Sequence, residues 1–175
     1  MATGGLGTVA QLRRGSALVV REPVESEAET ILREAGVFAE GHFQLTSGLH
    51  SSVYWEKFRI LEQPRHTERL CQMIADHFRG YDCQLVVGPT TGGIIVAYEV
   101  ARQLGVRGIF AEREGTGRVF RRGFKIVPGE RVLVVDDVLT TGGSIRDVLA
   151  EVKRLGGQGM GVGVLIQRSQ GRLDF

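Results

Sequence analysis

The chain has 175 residues, of which 42% are hydrophobic and 24% charged, with a net charge of +2 and no block of like charge. That length suits one domain with a real core, and the nearly balanced charge gives no argument for nucleic acid. No apolar run reaches the ~20 residues a membrane-spanning helix needs, and 25 glycines without a repeat exclude collagen-like and solenoid designs.

Residues 1–23 read as a weakly structured extension whose opening, Met-Ala-Thr-Gly-Gly-Leu-Gly, lacks a signal-peptide core. Ser26-Glu-Ala-Glu29 has capping-box spacing and opens a helix through Ile31, Leu32 and Ala35, stopped by Gly36. Residues 38–55 read as short strands joined by a turn at Ser47-Gly48. Thr67 is expected to cap a helix that carries Leu70, Met73, Ile74 and Phe78 on one face and ends at Gly80. Residues 84–87 form a buried strand that runs into the loop Gly88-Pro-Thr-Thr-Gly-Gly93. A third helix carries Ile95, Tyr98, Glu99 and Leu104, ends at Gly105, and is followed by a strand at residues 108–111.

Residues 112–125 hold five basic and two acidic side chains with three glycines and no apolar period. They read as a mobile loop or an exposed hairpin. A strand follows from Arg131, then a helix at residues 144–155 and a strand at residues 160–166. The alternation βαβαβ predicts an α/β fold: a parallel sheet with helices on both faces, ligands at the carboxyl ends of its strands. Cys71 and Cys83 have no metal or redox spacing and read as reduced, at least partly buried thiols of a cytoplasmic protein.

Chemistry concentrates in Arg131-Val-Leu-Val-Val-Asp-Asp-Val-Leu-Thr-Thr-Gly-Gly-Ser144. Val132, Leu133, Val134 and Val135 suit a strand buried on both faces. Asp136 and Asp137 stand at its end, where burial of unpaired charge is too costly, so they are expected to face hydroxyls or a metal rather than the core. A polar glycine turn then enters a helix. Free backbone N–H groups and the helix dipole make such a turn an anion site. A phosphate beside hydroxyls describes a ribose 5-phosphate.

This stretch closely resembles the phosphoribosyl-pyrophosphate (PRPP) motif of the type I phosphoribosyltransferases. The resemblance implies that family's fold: a central, mostly parallel sheet flanked by helices, with a small N-terminal hood, in a single domain over residues 24–175. It implies that Asp136 and Asp137 engage the ribose hydroxyls and act in catalysis. Val138, Leu139, Thr140, Thr141, Gly142, Gly143 and Ser144 would wrap the 5-phosphate. Thr90, Thr91 and Gly92 of the earlier loop would take the pyrophosphate, in a backbone that in the family often contains a non-proline cis peptide. Residues 112–125 would form a lid whose arginines, Arg113 and Arg118 foremost, meet the leaving pyrophosphate. Mg²⁺ is implied as a cofactor that arrives with PRPP, near Asp136 and Asp137.

Gly41-His-Phe-Gln-Leu-Thr-Ser-Gly-Leu-His-Ser51, within a hood at residues 36–57, resembles the start of orotate phosphoribosyltransferases. That resemblance implies PRPP and orotate as substrates and a homodimer with a shared active site. Thr46, Tyr54, Trp55 and Thr140 would contact the base, and Arg168, at a strand end, would hold the orotate carboxylate through a planar two-pronged guanidinium. There are departures. Many such enzymes carry Lys where this chain has Thr46 and again near Gly92, and their lid carries lysines and a histidine that are missing here. The chain also stops at Phe175, where one more strand is expected. Transfer to another base, or PRPP sensing without catalysis, stay open as alternatives.

Overall fold

The computed structural model describes residues 10–13, 16–19, 26–44 and 50–168, with backbone alone for residues 10–19 and 38–55. Ala10–Arg13 (β1) pairs antiparallel with Ser16–Val19 (β2). Glu27–Glu34 (α1) starts at the expected capping box. Glu29 N–H donates to Ser26 Oγ at 3.3 Å and Ser26 N–H to Glu29 Oε2 at 2.9 Å, which satisfies donors that the helix itself leaves open. Phe38–Gln44 (β3) and His50–Trp55 (β4) form an antiparallel pair with an irregularity between Glu40 and Phe43. The predicted turn at Ser47-Gly48 lies outside the described residues.

A one-turn helix, Phe58–Leu61 (α2), buries Ile60 and Leu61 and was not expected from the sequence. The next helix, Pro64–Phe78 (α3), begins three residues before its predicted cap, because Pro64 at the first helical turn needs no N–H partner. Thr67 is instead buried, and its Oγ1 donates to Ile60 O at 2.8 Å, which ties α3 to α2. Leu70, Cys71, Ile74, Ala75 and Phe78 recur at helical spacing and face the core.

Leu85–Pro89 (β5), Arg107–Glu114 (β6), Gly117–Val119 (β7), Arg131–Leu139 (β8) and Gln158–Gln167 (β9) build one sheet in the order β7-β6-β5-β8-β9. Every pairing is parallel except β6 with β7. Gly92–Leu104 (α4) links β5 to β6, and Gly143–Arg154 (α5) links β8 to β9. The two-residue period of the strands sorts the core into two layers. Val86, Leu133 and Val135 join α1, α3 and α4 on one face, whereas Leu85, Val87, Val132 and Val134 join α5 on the other. On α4 the inward residues are Val96, Ala97, Val100 and Ala101, while the predicted Ile95 and Tyr98 are exposed.

From β5 the chain moves outward to β6 and then returns to the other side of β5 to form β8. The crevice between the ends of β5 and β8 is therefore the switch point where α/β sheets bind ligands. Gly88 makes this junction tight: a Cβ there would lie 1.9 Å from the Gly93 carbonyl oxygen. Gly88→Ala is expected to destabilise the protein by about 2 kcal/mol or more through this overpacking. Gly80→Ala, with nothing within 4 Å of the new methyl group, should stay within about 0.5 kcal/mol. Urea unfolding of both variants checks the pair, and equal midpoints would contradict the packing account.

Candidate active site

The acidic pair ends β8 in the middle of the sheet. Asp136 and Asp137 are only 8% and 4% exposed, which corrects the expectation that charge would keep them out of the interior. Compensation explains how they stay there. Asp136 Oδ1 accepts the Asp137 N–H at 2.8 Å, and Asp137 Oδ1 accepts the Val138 N–H at 2.7 Å. Lys57 Nζ lies 2.8 Å from the buried Asp137 Oδ2. The N-terminus of α4 faces the pair at close range, since a Cβ on Gly92 would fall 1.8 Å from Asp137 Oδ2 and one on Gly93 3.1 Å from Asp136 Oδ1. Burial, and then the charge of Asp137, push the Asp136 carboxyl up to about 7, with Lys57 pulling the other way.

Two glycine-bearing loops flank the acids, and each runs into a helix whose first N–H groups have no side-chain cap. After β5, Thr90 and Thr91 are joined by a cis peptide bond, and Gly92 and Gly93 open α4. After β8, Thr140 and Thr141 are exposed, Gly142 adopts φ +77°, and Gly143 and Ser144 open α5. Residues 138–145 with Asp136 line a hollow of about 50 Å³. The Arg168 N–H donates to Leu139 O at 2.8 Å, which holds the end of β9 against this loop.

The charged segment at residues 112–125 is a hairpin extending the sheet rather than a detached loop, with Arg113 opposite Arg118. Its cations divide. Arg121 pairs with Glu114, and Arg122 pairs with Glu112 at 2.7 Å while stacking over Phe110. Arg118 turns inward and bridges the two loops, donating to Thr90 Oγ1 at 3.1 Å, Ala111 O at 3.3 Å and Ser144 Oγ at 3.1 Å. Its Nε is buried without a hydrogen-bond partner among the described residues, and burial lowers its pKa. Arg113 is exposed.

A cavity of about 290 Å³ opens at this junction. It gathers the predicted Thr90, Thr91, Gly92, Asp136, Asp137, Val138, Thr140, Ser144 and Arg168, together with Lys57 and Ile166. Arg113 is not on its wall. Thr46 lies outside the described residues, and only the backbone of Tyr54 and Trp55, in β4, is described. Lys57 was missed by sequence reasoning. Its one available signal was a cation two residues after the aromatic end of β4. Among the described residues no three His, Cys, Asp or Glu side chains converge as a metal site.

Comparison with known proteins agrees with this geometry. The family model for the phosphoribosyl transferase domain matches residues 59–174. An orotate phosphoribosyltransferase of Pelotomaculum thermopropionicum is 52% identical over 149 residues, covering 85% of this chain and 78% of that protein. Its counterpart in Desulforamulus reducens is 51% identical over 145 residues, covering 83% and 76%. Among solved structures, the orotate phosphoribosyltransferase of Mycobacterium tuberculosis superposes with a TM-score of 0.66 at 24% identity over 81% of this chain and 93% of that one. An adenine phosphoribosyltransferase of Thermoanaerobacter pseudethanolicus reaches 0.62 at 20% identity over 77% and 84%. The last two likenesses speak for the fold alone. A parallel sheet with its switch point at paired acids and two glycine loops, matched over most of its length by close relatives, places this chain in the phosphoribosyl transferase family, among the orotate phosphoribosyltransferases.

Proposed function

We propose that this protein transfers the phosphoribosyl group of PRPP to orotate, giving orotidine 5-monophosphate and pyrophosphate for UMP synthesis. The observation that carries the reading is the single cavity on which both glycine loops, the acidic pair and Arg168 converge. N1 of orotate forms a bond to C1 of the ribose as the bond from C1 to the pyrophosphate oxygen breaks. The ring passes through an oxocarbenium-like state, so the protein's work is alignment, exclusion of water and stabilisation of charge. In this reading the α5 loop from Thr140 to Ser144 cradles the 5-phosphate. Asp136 and Asp137 accept hydrogen bonds from the ribose hydroxyls, and Thr90, Thr91, Gly92 and Arg118 take the pyrophosphate. Arg168 grips the orotate carboxylate beside Thr140, with Thr46, Tyr54 and Trp55 on the hood side of the base.

Mg²⁺ would enter on the diphosphate and spread the charge of the leaving group, held through substrate oxygens and water, as suits a hard, strongly hydrated ion. The cytoplasm, where such phosphorylated substrates are kept, is the compartment this reading assigns. A homodimer belongs to it as well: Arg113 is exposed and off the wall of its own cavity, where it is available to the site of a second copy.

Orotate-dependent release of pyrophosphate is the direct test, with adenine and hypoxanthine as competing acceptors. Arg168→Ala should raise the KM for orotate at least tenfold, since truncating one partner of a desolvated charged pair costs about 2–5 kcal/mol, and leave the KM for PRPP within about twofold. Equal losses for both substrates would remove Arg168 from the base subsite. A pH profile gives a second check. With its pKa raised to about 7, Asp136 keeps its proton in mildly acidic solution and gains the charge that accepts a ribose hydroxyl only as pH rises through neutrality. kcat/KM for PRPP should therefore fall as pH drops below about 7, and a flat profile from pH 5 to 8 would contradict the role. Finally, mixing inactive Arg113→Ala with inactive Asp137→Asn protein should restore part of the activity, because a mixed dimer rebuilds one complete site. A mixture that exchanges subunits and stays inactive would confine the lid to its own chain.

A further inference from the structure

Lys57 shares the cavity wall with the two acids and touches one of them. Its backbone is fixed at the entry to α2, where it precedes Phe58. The neighbouring Glu56 N–H donates to Val37 O at 3.0 Å, and the Phe58 N–H donates to Glu56 Oε1 at 3.1 Å. Ile60 and Leu61 anchor the turn in the core. Leu61 Cδ1 lies 3.1 Å from where a Cβ on Gly92 would be, so α2 is seated directly over the N-terminus of α4. Lys57 Nζ lies over the Phe58 ring, 5.2 Å from its centroid. Nζ then meets Asp137 Oδ2 at 2.8 Å, and the side chain is 39% exposed.

An ammonium has three donors. It is ion-paired with Asp137 Oδ2 at 2.8 Å, and the group sits on a wall shared with Thr90, Thr91 and Gly92. Those three residues form the helix-entry loop that offers backbone N–H groups to an anion. Arg168 is the other cation of that cavity wall and lies at the end of β9. A diphosphate on the α4 loop would therefore bring its oxygens to the ammonium of Lys57, which needs no strict geometry to receive them because Lys is a point charge on a flexible stem.

We propose that Lys57 is a substrate-binding residue of the diphosphate subsite, bridging Asp137 to the pyrophosphate of PRPP. The inference rests on the phosphoribosyl transfer reading above but not on the identity of the base. A purely structural Lys57 would serve only to neutralise Asp137 and would affect any ligand of the acids alike. A diphosphate ligand would instead discriminate between phosphorylated sugars with and without the pyrophosphate.

The test is calorimetric binding of PRPP, inorganic pyrophosphate and ribose 5-phosphate to wild type, Lys57→Met and Lys57→Arg in one magnesium-containing buffer. Lys57→Met keeps the stem and removes the charge. It should weaken PRPP and pyrophosphate at least about tenfold, the scale of a lost hydrogen bond to a charged group, and leave ribose 5-phosphate within about twofold. Lys57→Arg should recover most of the loss; Lys57→Met should also lower the thermal midpoint, because it leaves the buried Asp137 without its cation, so the selectivity between ligands, and not the midpoint, carries the test. Equal weakening of PRPP and ribose 5-phosphate, or no weakening of either, would overturn the proposal, as would a loss that Arg does not repair. Wild-type protein that binds PRPP but fails to turn over orotate would sink the acceptor assignment and leave Lys57 standing. Failure of wild type to bind PRPP or pyrophosphate would overturn both.

Discussion

The molecule is organised around the burial of two adjacent carboxylates at the end of its central strand. Isolated ions in such a place would be prohibitively unstable or would lose their charge. Here each carboxylate accepts a backbone N–H, one meets an ammonium, and both face the positive end of α4. That arrangement sets demands elsewhere. The residues opening α4 must lack side chains, β5 must let the helix approach through Gly88, and α2 must sit where it can deliver Lys57. The site is thus built into the junction of sheet and helices rather than placed on a finished scaffold.

A second tie crosses the same crevice. Arg118 reaches from the hairpin to a hydroxyl on each glycine loop, and so ties the two loops together. The other hairpin cations have different work: Arg121 and Arg122 neutralise Glu114 and Glu112 on the hairpin itself. Net positive charge in this segment is therefore a poor guide to how many cations a substrate meets. Position within the hairpin decides it: Arg118 lies in β7 beside both loops, whereas Arg121 and Arg122 follow the strand beside the hairpin's own carboxylates.

What could be read from the sequence followed the range of the forces involved. The β8–loop–α5 unit was legible because an apolar run, paired acids, a glycine turn and a helical period are all local signals. The capping box at Ser26 was legible for the same reason. The start of α3 was misplaced because Thr67 has a capping residue's chemistry but bonds to Ile60 in another helix. Burial of Asp136 and Asp137 was misjudged because their compensation comes from Lys57 and α4, remote in sequence. Ile95 and Tyr98 lie on a helix as read, but which of its faces packs on the sheet was not legible; α4 does so through its smaller residues. Apart from the one-turn α2, long-range partners rather than element types were what the chain concealed.

The missing side chain at position 92 also shapes how this protein can diverge. Any Cβ there would land 1.8 Å from Asp137 Oδ2, in the space used by the carboxylate that Lys57 holds. Any side chain introduced there is thus no simple addition to this chain: it must displace the acid, and with it the partner of Lys57. Positions 57 and 92 are thereby coupled through the carboxylate that lies between them. Change at either needs coordinated replacement, since each single step leaves a buried charge either crowded or alone.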